Sequence, residues 1–234
     1  FPYTTLFRSG RAPKWGFYLP ENRYADTVYH IECRSETRFD WDIIGYTVGR
    51  MLPSAGVPVL TGDFHRPTLT MLKQCFTAMA TTSACELCHI VGVTPEARSL
   101  EDARGNKPLR GEFTITQKDY EESYRQICSA GEGKINFVLL GCPHYSLEDI
   151  QQVANYIHGK KVAEGVELHV WTDMSTLAMA KASGFVKTIE DAGGNVLSSS
   201  CAMVMDPAAF SHVTAMVTDS GKQGHYMHSC FGTE

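Results

Sequence analysis

At 234 residues, with 43% hydrophobic and 20% charged residues, the chain has an ordinary globular composition and enough length to bury a core. A net charge of -5 and a pI near 6.0 create no field that would gather nucleic acid or anionic lipid. The longest apolar stretches, such as residues 137–140 and 213–217, fall far short of the roughly 20 residues a membrane helix needs. Nucleic acid and membrane are therefore dropped as partners.

The first ten residues, Phe1 to Gly10, have no helical or strand continuity with the chain from Arg11 onward. They read as a translated sequencing adapter, and both ends of the remaining partial region, 11–234, look cut. Strand-like runs lie at 28–33, 57–61, 85–93, 135–140, 166–172, 196–200 and 213–218. Between them lie helical patterns at 41–52, 68–79, 118–130, 146–157 and 175–192. Ile43, Ile44, Val48 and Leu52 share one face of the first. Ser146-Leu-Glu-Asp149 has the form of a capping box, and Gly193-Gly194 a helix stop. This alternation predicts an α/β fold, with mainly parallel strands joined by crossover helices and ligands at the carboxyl ends of the strands. Residues 99–112, rich in charge and Gly, are the best candidate for an exposed loop or a lobe boundary.

Eight cysteines without the dense spacing of a secreted scaffold point to reduced thiols in a cytoplasm, some available as metal ligands. Cys142 follows an apolar strand in Gly141-Cys-Pro-His-Tyr145 just before a helix. A thiolate at a helix N-terminus is expected to have a lowered pKa and to favour metal ligation. Cys201 occupies the equivalent place after the strand 196–200, so the two can converge on one crevice, or each can be a small buried hydrophobe. Cys85-Glu-Leu-Cys88-His89 matches the short pattern of haem attachment and of a redox pair, but lies in an apolar, β-branched run. Cys33, Cys75 and Cys128 fall on strand or helix faces and are expected in the core, with Cys230 unassigned. Thr94 can donate to a bound carboxylate or cap a helix, and Pro95-Glu96 has the form of a first helical turn.

Four motifs in one colinear order, Leu140-Gly-Cys-Pro-His144, Phe39-Asp-Trp-Asp-Ile-Ile-Gly45, residues 89–97 and Ser220-Gly-Lys-Gln-Gly-His-Tyr226, resemble the aconitase X family over most of residues 14–234. The resemblance implies layered α/β/α domains and a hydro-lyase that removes water from a small hydroxy acid. It also implies an iron-sulfur cluster, or iron, held by three distant cysteines, of which Cys142 and Cys201 match two. An open iron then acts as a Lewis acid on the departing hydroxyl. The third ligand is expected from sequence outside this chain, and the base from a small swivelling domain, fused or separate. The fragment alone is therefore expected to be inactive. Ser220, Lys222, His225 and Tyr226 become candidates for holding substrate or orienting the cluster, with a solvated Gly-rich loop as the alternative, and His144 a pocket group or a helix cap. The resemblance offers two substrates, cis-3-hydroxy-L-proline first and a phosphorylated mevalonate, as for the large subunit of a phosphomevalonate dehydratase, second. A redox or haem-binding module built on Cys85, Cys88 and His89 is the reading from another class.

Overall fold

The computed structural model describes residues 14–128 and 134–231, so the adapter-like start at residues 1–10 lies outside the described residues. Two short helical turns, Gly16–Tyr18 and Pro20–Arg23, lead into strand β1 (Thr27–Glu32). Helix α1 (Arg38–Met51), β2 (Pro58–Gly62), helix α2 (Leu69–Ser83), β3 (His89–Ile90), helix α3 (Leu100–Arg104), β4 (Gly111–Thr116) and helix α4 (Gln117–Ile127) complete the first half. The second half runs through β5 (Phe137–Tyr145), α5 (Leu147–Ile157), β6 (Glu167–Thr172), α6 (Met174–Ala182), α7 (Phe185–Asp191), β7 (Asn195–Ser198), β8 (Met216–Thr218) and α8 (Gly221–Phe231).

Each half is built on a four-stranded parallel sheet, ordered β3-β2-β1-β4 in the first and β7-β6-β5-β8 in the second. The side-chain alternation of a strand puts apolar residues on both faces of each sheet, and helices cover both. Tyr29, Ile31, Leu60, Ile90 and Ile115 pack with Trp41, Ile44 and Val48 of α1 and Cys75 and Met79 of α2. Val28 and Val59 face the other way, toward Ala97 and Ala103. In the second half Phe137, Leu139 and Trp171 meet Phe210 and Met227, while Val170 and Val196 meet Ile150, Ala180 and Ile189. Both halves are thus layered α/β/α.

Local signals explain most boundaries. Thr37, Thr116 and Ser146 cap their helices and form capping boxes with Asp40, Asp119 and Asp149. The helix expected over 175–192 is two, because Gly184 takes a left-handed φ of +80° between α6 and α7, and the first of them is capped by Asp173. The run 85–93 is strand only at His89–Ile90. Residues 91–97 form turns rather than a helix start, and Glu96 pairs with Arg23 at 2.6 Å instead of capping a helix. The stretch 99–112 contains α3 and enters β4, which pairs with β1, so the chain changes sheets later, between α4 and β5.

Candidate active site

The ends of β5 and β8 and the start of α8 meet α1 and α2 where the two halves join, and the loop after β7 is tied to the end of β5. Pairing of β5 to β6 slips between Leu140 and Tyr145, and Cys142 lies within that irregularity, joined to Pro143 by a cis peptide bond. Gly141 permits the path: its φ is +93°, and a Cβ there would stand 2.1 Å from the Trp171 carbonyl oxygen. No residue with a side chain fits. Beyond β7, Ser199 takes a φ of +69°, and Cys201 starts the short turn Ala202–Val204.

The Cys142 thiol is within electrostatic reach of Cys201, Lys222 and Asp42, and Ser220 offers it a hydrogen bond. Burial pushes its pKa up; Ser220 and Lys222 favour the thiolate but do not outweigh that cost. The expectation of a lowered pKa is therefore overturned: Cys142 lies inside β5, before the Ser146 cap of α5, and the helix start that faces it is that of α8. Here the solvated Gly-rich loop that stood as the alternative proves to be a helix. Ser220 is its N-cap, accepting the Gln223 N–H at 3.2 Å, and is buried.

His144 neither caps α5 nor stands alone. Its Nε2 donates to the Ser200 carbonyl at 2.7 Å, tying the end of β5 to the Cys201 loop. Its own carbonyl accepts from Lys73 Nζ at 2.7 Å. Gln74 Nε2 reaches the carbonyls of Cys142 (3.4 Å) and Asp219 (3.1 Å). Arg38 bridges Asp149 at 3.0 Å and Asp219, which also accepts from the Tyr145 hydroxyl at 2.5 Å. His225 meets the Tyr46 hydroxyl through Nδ1 at 3.1 Å.

Asp42 is fully buried on α1, one carboxylate oxygen accepting the Gly221 N–H at the start of α8 and the other without a hydrogen-bond partner. Burial pushes its pKa up to about 7, against the Gly221 N–H and the Gln74 amide. Burial likewise raises Asp219, whose Oδ1 also lacks a partner.

Of the residues singled out from sequence, Cys142, Cys201, His144, Ser220 and Lys222 share this joint. Thr94 does not belong to that network: its hydroxyl accepts the Ile90 N–H at 2.9 Å and donates to the Ile90 carbonyl at 3.2 Å, closing a turn instead of capping a helix. Cys85 and Cys88 pack against the core of the first half. Buried His89 donates through Nε2 to the Arg23 carbonyl at 2.7 Å, which commits that ring nitrogen to the backbone.

Sequence models of the second and third domains of aconitase X match residues 25–125 and 135–234, the two sheet-bearing halves. The chain belongs to the aconitase X family. A crystal structure of Thermococcus kodakaraensis aconitase X in its holo form superposes with a TM-score of 0.81 at 27% identity, covering 98% of this chain and 57% of that one. The chain is 30% identical to a cis-3-hydroxy-L-proline dehydratase of Pseudomonas aeruginosa, over 97% of its own length and 39% of that protein. It is 32% identical to a phosphomevalonate dehydratase large subunit of Methanothermobacter thermautotrophicus, over 96% and 54% respectively. This aconitase X chain thus spans about half the length, or less, of these curated relatives.

Among the described residues no three His, Cys, Asp or Glu side chains come together to hold a metal ion. Cys142 and Cys201 are soft donors of the kind iron-sulfur clusters take, so the chemistry of the joint is compatible with such a group but by itself supplies fewer thiols than a cluster needs. None of the described helices is long and apolar enough to cross a membrane. Arg38, Asp42, Gln74 and Asp219 were missed from sequence. The one available signal was Asp42, an acid set among Trp41, Ile43 and Ile44.

Proposed function

We propose that this chain is the portion of a hydro-lyase that supplies two thiolate ligands, Cys142 and Cys201, to an iron-sulfur cluster or iron, together with one wall of the substrate crevice. The observation that carries the reading is that Cys201, Ser220 and Lys222 all lie within electrostatic reach of the Cys142 thiol, with the Cys201 loop tied to the end of β5 through His144. When bound, the group supplies Lewis acidity toward a departing hydroxyl. Ser220 and Lys222 bind and orient the substrate carboxylate, and His144 holds the Cys201 loop against β5. The third ligand and the base that takes the proton beside the carboxylate come from the remainder of the enzyme, including a small domain, fused or separate, with the whole working in the cytoplasm.

The substrate proposed first is cis-3-hydroxy-L-proline. Around Cys142, Arg38 is engaged by two carboxylates and Lys73 by a carbonyl, leaving Lys222 as the described cation that faces the thiol. A phosphate calls for a denser cationic pocket. Phosphomevalonate is the second reading, supported by the 32% identity to a large subunit that acts on it.

The test is to express this chain with the polypeptide that completes it, reconstitute with iron and sulfide under reducing conditions, and assay both substrates. Cys142→Ser and Cys201→Ser should each abolish visible cluster absorbance and turnover together, since a hard hydroxyl replaces a soft thiolate. Cys85→Ser should keep both. The 234-residue chain alone should show no turnover. A Cys142→Ser enzyme that retains absorbance and rate sinks the assignment.

A further inference from the structure

We propose that Asp42 is a positioning residue: from α1 of the first half it anchors the start of α8 through the Gly221 N–H, and so fixes where Ser220 and Lys222 stand against Cys142. The inference rests on the reading of Cys142 as an iron ligand, but its geometry is independent of any metal.

Three observations carry it. Asp42 is fully buried in a stretch where Trp41, Ile43 and Ile44 are also buried, a setting in which an apolar side chain costs less to bury than a carboxylate. Its Oδ2 accepts the N–H of Gly221, the residue that follows the Ser220 cap. That N–H belongs to the first turn of α8 and has no partner within its own helix. The fit is also close: a Cβ on Gly221 would lie 3.0 Å from Asp42 Oδ2 and 3.3 Å from Ile127 Cδ1. Gln74 of α2 strengthens the same anchor, since its amide reaches the carbonyls of both Cys142 and Asp219, one on each of the two segments that must stay in register. The first half therefore acts as a jig for groups carried entirely by the second.

The anchor can be removed from either side. Asp42→Leu deletes the acceptor, whereas Asp42→Asn keeps a carbonyl oxygen in its place. Gly221→Pro deletes the donor at a position where helices tolerate proline, and Gly221→Ala adds a Cβ while keeping the N–H. In the metal-free chain, Asp42→Leu and Gly221→Pro should raise hydrogen exchange at Lys222 and Gln223 roughly tenfold or more. Both should also change the alkylation rate of Cys142 by iodoacetamide, followed on its peptide by mass spectrometry. Asp42→Asn should hold both readouts near wild type, and exchange in α6 should not move in any variant. The proposal is overturned if Gly221→Pro matches Gly221→Ala in both measurements, or if Asp42→Asn is as damaging as Asp42→Leu. Neither outcome touches the iron assignment, which stands or falls on cluster absorbance in the complete enzyme.

Discussion

Asp42 gives the joint a pH signature of its own. Its carboxyl is raised from 3.8 to about 7 in the folded chain, so between those values the folded form holds a proton that the unfolded form has released. Its contribution to stability is fully present below 3.8 and is lost as pH rises through about 7. Asparagine does not titrate. Across that window the stability of Asp42→Asn should therefore improve relative to wild type, read as a shift in urea midpoints at several pH values, and a gap that stays constant with pH would refute the titration. At this scale the sequence revealed Cys142 and Cys201 as candidate thiols carried by two strands of one half, although Cys142 lies inside β5 rather than beyond it. It did not reveal that burial would raise the Cys142 thiol, because the groups that set its field, Asp42, Ser220 and Lys222, come from distant segments.

At the level of elements, helices α1 and α2 approach through glycine. A Cβ on Gly45 would stand 2.0 Å from the Cys75 carbonyl oxygen, and one on Gly49 would stand 2.1 Å from Thr82 Oγ1. Gly45→Ala must push the helices apart, displacing Lys73 and Gln74 from β5, and should cost about 3 kcal/mol or more in chemical denaturation. Ser146→Ala, which removes the cap of α5, should cost only about 1 kcal/mol. Helix α8 was hidden by Gly221 and Gly224, poor helix formers whose absence of a side chain is needed against Asp42 and Ile127. Strand β4 was hidden as well, since its residues Gly111, Glu112 and Thr114 lack an apolar run and become strand by pairing with β1.

Across the whole molecule, the two sheets are joined by polar contacts that cross the joint. Arg38 of α1 reaches Asp149, the capping-box acid of α5, and Asp219 at the end of β8. Arg38→Met leaves two carboxylates facing each other without their cation, at a place where Asp219 is already strained toward its protonated form by burial. The variant should lose about 2 kcal/mol or more. Calorimetry should show a transition that is broader than in wild type or divided as the halves uncouple, whereas an unchanged profile would mean that the remaining contacts, those of Lys73, Gln74 and Asp42 among them, suffice to couple the halves.

By itself the sequence determined the alternating α/β order and the Ser146 helix start, and it placed Cys201 just past a strand, because periodicity, caps and turn residues act over a few neighbouring positions. Four colinear motifs also pointed to the aconitase X family, which the match of both halves establishes. Tertiary structure alone decided that residues 220–231 form a helix, that Thr94 closes a turn and that α1 and α2 brace the joint. Those outcomes depend on contacts such as Asp42 to Gly221 and Gln74 to Cys142, between residues far apart in the chain, which no local pattern encodes.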